Sequence, residues 1–248
     1  MAHWAKSFYD FQDQVTHCYS APIHHFHHEQ ARKVSEAYPQ GRVLELGSGG
    51  GQFAVAAALR GLSVTALELR PAGTAKTLEL AYQNGAQLQA ITGDFYTADV
   101  GGPFDLVCYW DGFGIGEDTD QQRLLSRIAR WLSPAGHALI EIYTPWYWEK
   151  YAGYSRQWEG EIPVTQTYAF EAEGCRMTDT YAALDGPIHT QSLRCYSPAD
   201  LRLLMQCTGL SLLNIEAGGK YDPHAQIWTP NVALNECLSW TATLGRGV

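Results

Sequence analysis

Short apolar runs and helical stretches alternate along the middle of the chain, from residue 42 to residue 143. The apolar runs have the length of buried strands, and the stretches between them carry apolar residues at the spacing of one helix face. Strands are predicted at 42–46, 62–69, 87–92, 104–110 and 136–143, and helices at 52–61, 71–85 and 118–134. Alternation at this interval predicts a parallel sheet built from right-handed βαβ units.

Beyond residue 143 the pattern changes. The stretch 144–158 is aromatic and turn-rich, and the residues on either side of Gly174 favour two short antiparallel strands. A helix is predicted after Ser197 and Pro198, since serine is typical of an N-cap and proline of the first helical turn. Further strands are predicted at 210–219 and 237–244. The pattern as a whole predicts an α/β core that is interrupted by a cap.

Composition narrows the classes of function. A chain of 248 residues is long enough for one substantial core with an inserted cap. The net charge is −9 and the 17 Lys and Arg residues form no basic cluster, which argues against nucleic acid as a partner. No apolar stretch reaches the roughly 20 residues that would span a membrane. The polar N-terminus and six cysteines without a CxxC pair indicate reduced thiols in a cytoplasmic protein.

The most informative stretch is VLELGSGGGQ, residues 43–52, where a strand ends in an acid and a glycine-rich turn precedes a helix. Glycine at this place lets a ligand approach the backbone at the helix N-terminus. Two registers fit. One runs Glu45-x-Gly47-x-Gly49-x-Gly51, and the other runs Gly49-x-Gly51-x-x-Ala54, which satisfies the dinucleotide fingerprint. In either register Glu68, at the end of the second strand, is placed to bind ribose hydroxyls.

The order of motifs from 42 to 143 resembles the class I S-adenosylmethionine-dependent methyltransferases. The glycine turn matches that family's first motif, and Glu68 matches the acid that holds the ribose. Asp94 in TGDF matches the acid that faces the adenine amino group, with Phe95 beside the ring. The family's L-x-P-x-G before the fifth strand is matched by Leu132, Pro134 and Gly136.

The resemblance implies a Rossmann-like, mostly parallel seven-stranded sheet with helices on both faces and a small inserted cap. It also implies S-adenosyl-L-methionine as cofactor and S-adenosyl-L-homocysteine as product. The implied parts are an N-terminal lid segment (1–40), a cofactor-binding core (41–144), an aromatic cap (145–190) and the C-terminal part of the core (191–248). The residues expected to bind the cofactor are Tyr9, Glu45, Gly47, Ser48, Gly49, Gly51, Glu68, Leu69, Asp94, Phe95, Trp110 and Asp111.

The acceptor is expected to be a small molecule, because YWDGFG replaces the N/D-P-P-Y-like motif of nucleic-acid and protein-glutamine methyltransferases. Asp111 either contacts the methionine end of the cofactor or an acceptor amine, or it opens an ordinary Asp-Gly turn. The aromatic run after the fifth strand either boxes an acceptor, with cation–π attraction for an amine, or forms the core of the cap. The expected acceptor-binding residues are Trp146, Tyr147, Trp148 and Tyr151.

The leading segment holds a histidine group, HCYSAPIHHFHHE. A metal site there is disfavoured because no second ligand set is visible, and no metal is expected. The remaining interpretations are an exposed helix or a lid in which His24 or His25 acts as a base. Tyr19 and Tyr9 lie in the same segment, which folds over the cofactor in many family members; the alternative for both rings is ordinary packing. Asp111, Tyr19 and these two histidines are the candidate catalytic residues.

The sequence therefore predicts methyl transfer to a small metabolite, with an amine nitrogen as first choice. O- or C-methylation with a histidine base is the nearest alternative. A nicotinamide-dependent reductase and a protein that senses S-adenosylmethionine without catalysis are more distant ones. The expected partners are a small acceptor, with no nucleic acid and no membrane, and a monomeric or homodimeric state.

Overall fold

A seven-stranded sheet forms the centre of the protein, whose computed structural model describes residues 4–247. The helices are α1 (Ala5–Thr16), α2 (His25–Ala37), α3 (Gln52–Ala58), α4 (Pro71–Asn84), α5 (Asp118–Trp131), α6 (Pro145–Lys150) and α7 (Pro198–Leu204). The strands are β1 (Arg42–Leu46), β2 (Ser63–Glu68), β3 (Gln89–Thr92), β4 (Phe104–Tyr109), β5 (Leu132–Tyr143), β6 (Ser155–Trp158), β7 (Val164–Glu171), β8 (Arg176–Ala183), β9 (Ile188–Arg194), β10 (Leu210–Ala217), β11 (Lys220–Asp222), β12 (Ile227–Thr229) and β13 (Ser239–Arg246).

The order of strands in the central sheet is β10-β13-β5-β4-β1-β2-β3. Strands β1 to β5 pair in parallel, whereas β13 runs antiparallel to both β5 and β10. This confirms the predicted Rossmann-like, mostly parallel seven-stranded sheet with an antiparallel last strand. The long connection between β10 and β13 contains a small ladder of its own, formed by β11 and β12.

Local sequence explains why the helices of the core begin and end where they do. Helix α4 has Pro71 in its first turn and ends at Gly85, whose φ of 68° lies in the left-handed region that favours glycine. Helix α5 buries one apolar stripe against the sheet. It was predicted to reach residue 134 but ends at Trp131. Leu132 is already extended and pairs with Phe104, and the residue before Pro134 disfavours helix.

The segment between β5 and α7 forms a second, four-stranded antiparallel sheet in the order β6-β7-β8-β9. The predicted hairpin around Gly174 is confirmed, because Glu171 of β7 pairs with Arg176 of β8. Two strands and helix α6 were not predicted. Strands β6 and β9 carry few apolar residues, so the alternation of apolar and polar residues that predicts a strand is weak in both.

The residues before β1 fold into α1, a short 3-10 turn at Cys18–Ser20 and α2. Phe8 and Phe11 of α1 form an apolar cluster with Val164 and Tyr181 of the four-stranded sheet. Helix α2 packs on α3 through Ala31 and other small or branched residues. The leading segment and the four-stranded sheet therefore contact each other directly and cover the same edge of the core.

Two further properties of residues 4–247 concern cysteines and membranes. All six cysteines are free thiols, of which Cys108, Cys195 and Cys237 are buried and Cys18 and Cys207 are exposed. Within the part of the chain that the structure describes, no helix has the length and apolarity needed to cross a bilayer.

Candidate active site

A cavity of about 670 Å³ lies at the carboxyl ends of β1, β2, β4 and β5. Its cover comes from α1, the 3-10 turn, the start of α2 and strands β6 and β8. Ligands of open α/β sheets bind at this edge. The structure brings twelve of the predicted site residues to the cavity wall: Tyr9, Tyr19, His24, Glu45, Gly47, Ser48, Gly49, Glu68, Leu69, Phe95, Trp110 and Asp111.

The glycine turn is approached by the chain's own leading segment. A Cβ atom on Gly49 would lie 2.7 Å from the Tyr19 ring, and one on Gly50 would lie 1.9 Å from the Tyr19 carbonyl oxygen. Gln52 adds two hydrogen bonds of 3.1 Å from its side-chain amide, to the carbonyl oxygens of Cys18 and Ala21. The missing side chains at this turn therefore make room for the N-terminal cover as well as for a ligand.

Unpartnered polar atoms line the cavity beside this turn. Glu45 Oε2 and Ser48 Oγ are buried and have no hydrogen-bond partner among residues 4–247. Burial raises the pKa of Glu45 well above its usual range. A buried polar group without a partner is costly, which points to a polar ligand at this place. The amino-acid end of S-adenosylmethionine carries such groups, so these residues fit the cofactor that the resemblance implies.

Glu68, the expected ribose ligand, is held rigidly at the wall. One carboxylate oxygen accepts the Gly49 N–H at 2.9 Å, and the other accepts the backbone N–H and Nε–H of Arg70 at 3.0 and 3.1 Å. Burial raises the pKa of Glu68, and these hydrogen bonds oppose the shift. Each carboxylate oxygen has two lone pairs, so the group keeps acceptor capacity for ribose hydroxyls.

Arg70 is a functional residue that the sequence reasoning missed. Its side chain is 2% exposed, and it lies 3.4 Å from Asp10 and 3.7 Å from Asp13 in addition to its contact with Glu68. The guanidinium also stacks over the Tyr19 ring at 4.3 Å. It thereby connects the ribose-side acid to α1 and the 3-10 turn. No local signal marks this role, because Asp10 and Asp13 lie about sixty positions earlier in the chain.

A pair of carboxyl groups forms the end of the cavity at β4 and β5. Asp111 follows β4 in a left-handed backbone conformation, with φ of 47°, and accepts a hydrogen bond from the Tyr143 hydroxyl. Glu141 of β5 accepts one from Ser239 at 2.5 Å. The Asp111 side chain is open to the cavity although protein surrounds it, and this partial desolvation raises its pKa. Burial and the neighbouring Asp111 charge raise the pKa of Glu141.

The four-stranded sheet contributes Arg156, Trp158 and Tyr181 to the opposite wall. Trp158 is the last ring of the aromatic run in which one or two acceptor-binding rings were expected, whereas Arg156 and Tyr181 were not predicted. Arg156 and Trp158 are two apart on β6, so they share one face of that strand. A spacing of two residues predicts a shared face only within a strand, and no strand was predicted at residues 155–158.

The structure leaves the other predicted residues away from the cavity lining. Gly51 packs against Thr77 of α4, where a Cβ would lie 2.5 Å from the Thr77 Cγ2. The Asp94 carboxylate accepts the Tyr96 N–H at 2.8 Å. Four aromatic residues of the run after β5 pack in an apolar cluster with α6 and the four-stranded sheet: Trp146, Tyr147, Trp148 and Tyr151. Their roles toward cofactor or acceptor stay predictions.

The histidines divide between the cavity rim and the surface. His24 lines the cavity and precedes α2, whereas the His25 side chain is 90% exposed. His27, which was not predicted, also lines the cavity and accepts the His24 backbone N–H at 3.1 Å through Nδ1. Burial, with the neighbouring His24 and His28, lowers the pKa of His27 to about 4. Among residues 4–247 no group of three His, Cys, Asp or Glu side chains has a geometry that would hold a metal ion.

The fold is shared with solved methyltransferases. The CcbJ methyltransferase from Streptomyces caelestis is similar with a TM-score of 0.73 at 19% identity, over 93% of this chain and 92% of that one. An S-adenosylmethionine-dependent methyltransferase from Clostridium acetobutylicum gives 0.73 at 13%, over 98% and 99%. The sugar N-methyltransferase KedS8 from a Streptoalloteichus species gives 0.61 at 18%, over 96% and 93%. At these identities the similarity concerns the fold.

The family comparison concerns the cofactor half of the cavity. Residues 43–136 match the family model described as a methyltransferase domain. No curated protein matches the chain. The matched segment contains the glycine turn, Glu68 and Asp111. With the geometry above, the match identifies residues 43–136 as a methyltransferase domain of an enzyme whose cofactor is S-adenosylmethionine. The predicted family and cofactor are confirmed. They favour the register of the glycine turn that begins at Glu45 over the dinucleotide register that begins at Gly49.

Proposed function

We propose that the enzyme methylates an amine nitrogen of a small metabolite, which binds between Asp111 and the wall formed by the four-stranded sheet. The observation that carries this proposal is the pair of carboxyl groups, Asp111 and Glu141, at the end of the cavity. The lining of the same cavity includes the aromatic rings of Trp158 and Tyr181 from the covering sheet. Acids beside aromatic rings favour a cation over an anion or a neutral alcohol.

Methyl transfer to an amine needs the nitrogen lone pair. Bound S-adenosylmethionine supplies an electrophilic methyl group on a sulfonium. The nitrogen forms the new N–C bond as the S–C bond breaks, and the bond's electrons stay on sulfur. An amine that arrives as an ammonium ion must first lose a proton. Asp111 is suited to accept this proton, because its raised pKa makes it a stronger base than an ordinary carboxylate.

The remainder of the acceleration comes from positioning. Two reactants held at attack distance and alignment gain several kcal/mol over the reaction in solution. Tyr143 donates to Asp111 and fixes its orientation. The cover from α1 and β6 limits the access of water to the reacting groups. No further catalytic group is required for this reaction.

Other acceptors are less well supported. Similar structures include proteins named as N- and as O-methyltransferases, so their names leave the methylated atom open. A histidine base for an alcohol would have to be His24 or His27. The lowered pKa of His27, about 4, makes it a weak base at neutral pH, and its Nδ1 already accepts a hydrogen bond.

The first test is a variant at Asp111. In an acceptor screen of amines and alcohols, S-adenosylhomocysteine release should be detected with amines. With the amine that turns over, Asp111→Asn should lower kcat/KM at least 100-fold, the usual contribution of a proton-transfer group. Because the raised pKa delays ionisation of Asp111, wild-type kcat/KM should rise with pH and the variant should lose that limb.

Glu79→Gln is the matched control, since Glu79 is exposed on α4 and far from the cavity lining. It should leave both the rate and the pH profile unchanged. Turnover with alcohols alone, or an Asp111→Asn variant with wild-type kcat/KM on amines, would contradict the proposal.

A further inference from the structure

We infer that Arg156 and Trp158 form a subsite for an anionic group of the acceptor, so that the acceptor carries a carboxylate or phosphate in addition to its amine. This inference rests on the proposed function, because it names the substrate class of the same cavity. It is carried by the hydrogen bonds of Arg156, by the buried groups that hold it, and by the charges across the cavity.

The Arg156 guanidinium uses only part of its hydrogen-bonding capacity within the protein. Its Nε donates to the Gln166 side-chain oxygen at 2.6 Å, and its plane stacks over Trp158 at 4.3 Å. Its two terminal nitrogens have no hydrogen-bond acceptor in the part of the chain that the structure describes, and Arg156 forms no ion pair there. Arg156 lines the cavity. The free edge of a guanidinium, with its donors in a fixed fork, matches the geometry of a carboxylate or phosphate.

A buried network fixes the position of this arginine. Gln166 is 2% exposed, and its oxygen accepts from both Arg156 and the Trp158 indole N–H, the latter at 2.8 Å. Its amide nitrogen donates to the carboxylate of Asp179, which is 3% exposed, at 2.9 Å. A solvated surface arginine has no such support. Gln166 on β7 and Asp179 on β8 thus hold the Arg156 guanidinium and the Trp158 ring of β6 at the cavity wall.

Two carboxyl groups and one guanidinium of the cavity belong to different walls. Asp111 and Glu141 lie at the ends of β4 and β5, and Arg156 lies on the covering sheet. The Arg156 guanidinium lowers the pKa of Asp179 and the Asp111 charge raises it, both against a larger rise caused by burial. Arg70, the other arginine of the lining, is already paired with Glu68, Asp10 and Asp13. A ligand with an amine and an anion matches both walls at once.

The acceptor is a better occupant than the cofactor. The unpartnered atoms suited to the amino-acid end of the cofactor, on Glu45 and Ser48, lie at the end of β1 and in the glycine turn. Arg156 belongs to the sheet that covers the Asp111 end. An anion bound by Arg156 leaves an amine on the same molecule free to reach Asp111.

The experiment compares matched amines with and without the anion: tyrosine with tyramine, histidine with histamine, and phosphoethanolamine with ethanolamine. The wild-type enzyme should methylate the anionic member of a pair at least tenfold better in kcat/KM. Arg156→Met should remove that preference by raising KM for the anionic member, while kcat changes less than threefold. Arg156→Lys keeps the charge without the fork and should retain part of the preference.

The binding of S-adenosylhomocysteine, measured by calorimetry, separates the cofactor from the acceptor. Its Kd should be the same in the wild type, in Arg156→Met and in Arg156→Lys. The control is Arg60→Met, which removes an exposed charge from the end of α3 and should change neither KM nor Kd.

Each other outcome is decisive. Methylation of amines without preference for the anionic member overturns the subsite and leaves the proposed function standing. A weaker Kd for S-adenosylhomocysteine in both Arg156 variants assigns the arginine to the cofactor and also overturns it. Turnover of alcohols but of no amine removes the proposed function and this inference together.

Discussion

The two walls of the cavity are built differently. The wall at the ends of β1, β2, β3 and β4 is local: Glu68 is the last residue of a strand, and the glycine turn, Phe95 and Asp111 each follow a strand within a few residues. The covering wall is assembled from α1 and the neighbouring 3-10 turn together with β6, which lies more than a hundred residues later in the chain. The first wall matches the methyltransferase family and the second lies outside the matched residues, 43–136. We therefore expect cofactor binding to depend on the matched segment, and we propose that the covering wall contributes to the choice of acceptor.

Arg70 joins the two walls, and its removal should have the largest effect. Arg70→Met leaves Glu68 and Asp10 without their cation, while Asp13 keeps its ion pair with Lys76. Breaking a buried pair from one side costs about 3–5 kcal/mol, so urea unfolding should report a loss of that size. Arg60→Met, on the surface, should stay within about 0.5 kcal/mol of the wild type. A loss below about 1 kcal/mol for Arg70→Met would mean that the cover is held by α1 packing alone.

Asp179 tests whether the covering sheet depends on a buried acid. Burial raises its pKa from 3.8 to about 7, so the folded state holds a proton that the unfolded state releases. Its contribution to stability is complete below about pH 4 and is lost as pH rises towards 7, by up to about 4 kcal/mol.

Asp179→Asn should remove this loss, and the difference in unfolding free energy between variant and wild type should change with pH only between about 4 and 7. Glu173→Gln, in the exposed turn of the same sheet, serves as the control. A difference that is constant across this range would contradict the raised pKa.

Gly50 tests the contact between the walls with a smaller change. Gly50→Ala places a methyl group where the Tyr19 carbonyl oxygen now lies, at 1.9 Å, and must displace the cover from the glycine turn. We expect at least tenfold weaker binding of S-adenosylhomocysteine, or about 1.4 kcal/mol, by calorimetry. Gly160→Ala is the control because a Cβ there meets open space. Equal affinities would show that the cover does not contribute to the cofactor site.

The same difference explains what could be predicted from the sequence. The strands of the core and the residues that end them follow from short-range patterns, and Glu45, Ser48, Glu68 and Asp111 all line the cavity as expected. Arg70 could not be found, because its carboxylate partners on α1 are remote in sequence.

The covering sheet was hard to predict for a similar reason. Its outer strands are polar, so Arg156 and Trp158 could not be assigned to a common face. The aromatic run after β5 was expected to include acceptor-binding residues. Aromatic residues are equally suited to a small core. In the structure Trp146, Tyr147, Trp148 and Tyr151 pack in such a core.

The central claim is that the Asp111 end of the cavity receives an amine. The most direct measurement is NMR of the product formed with S-adenosylmethionine labelled with ¹³C in its methyl group, using the acceptor that the screen identifies. The account predicts a labelled methyl carbon bonded to nitrogen, and no such product from Asp111→Asn within the same time. A methyl carbon bonded to oxygen or to carbon would contradict it.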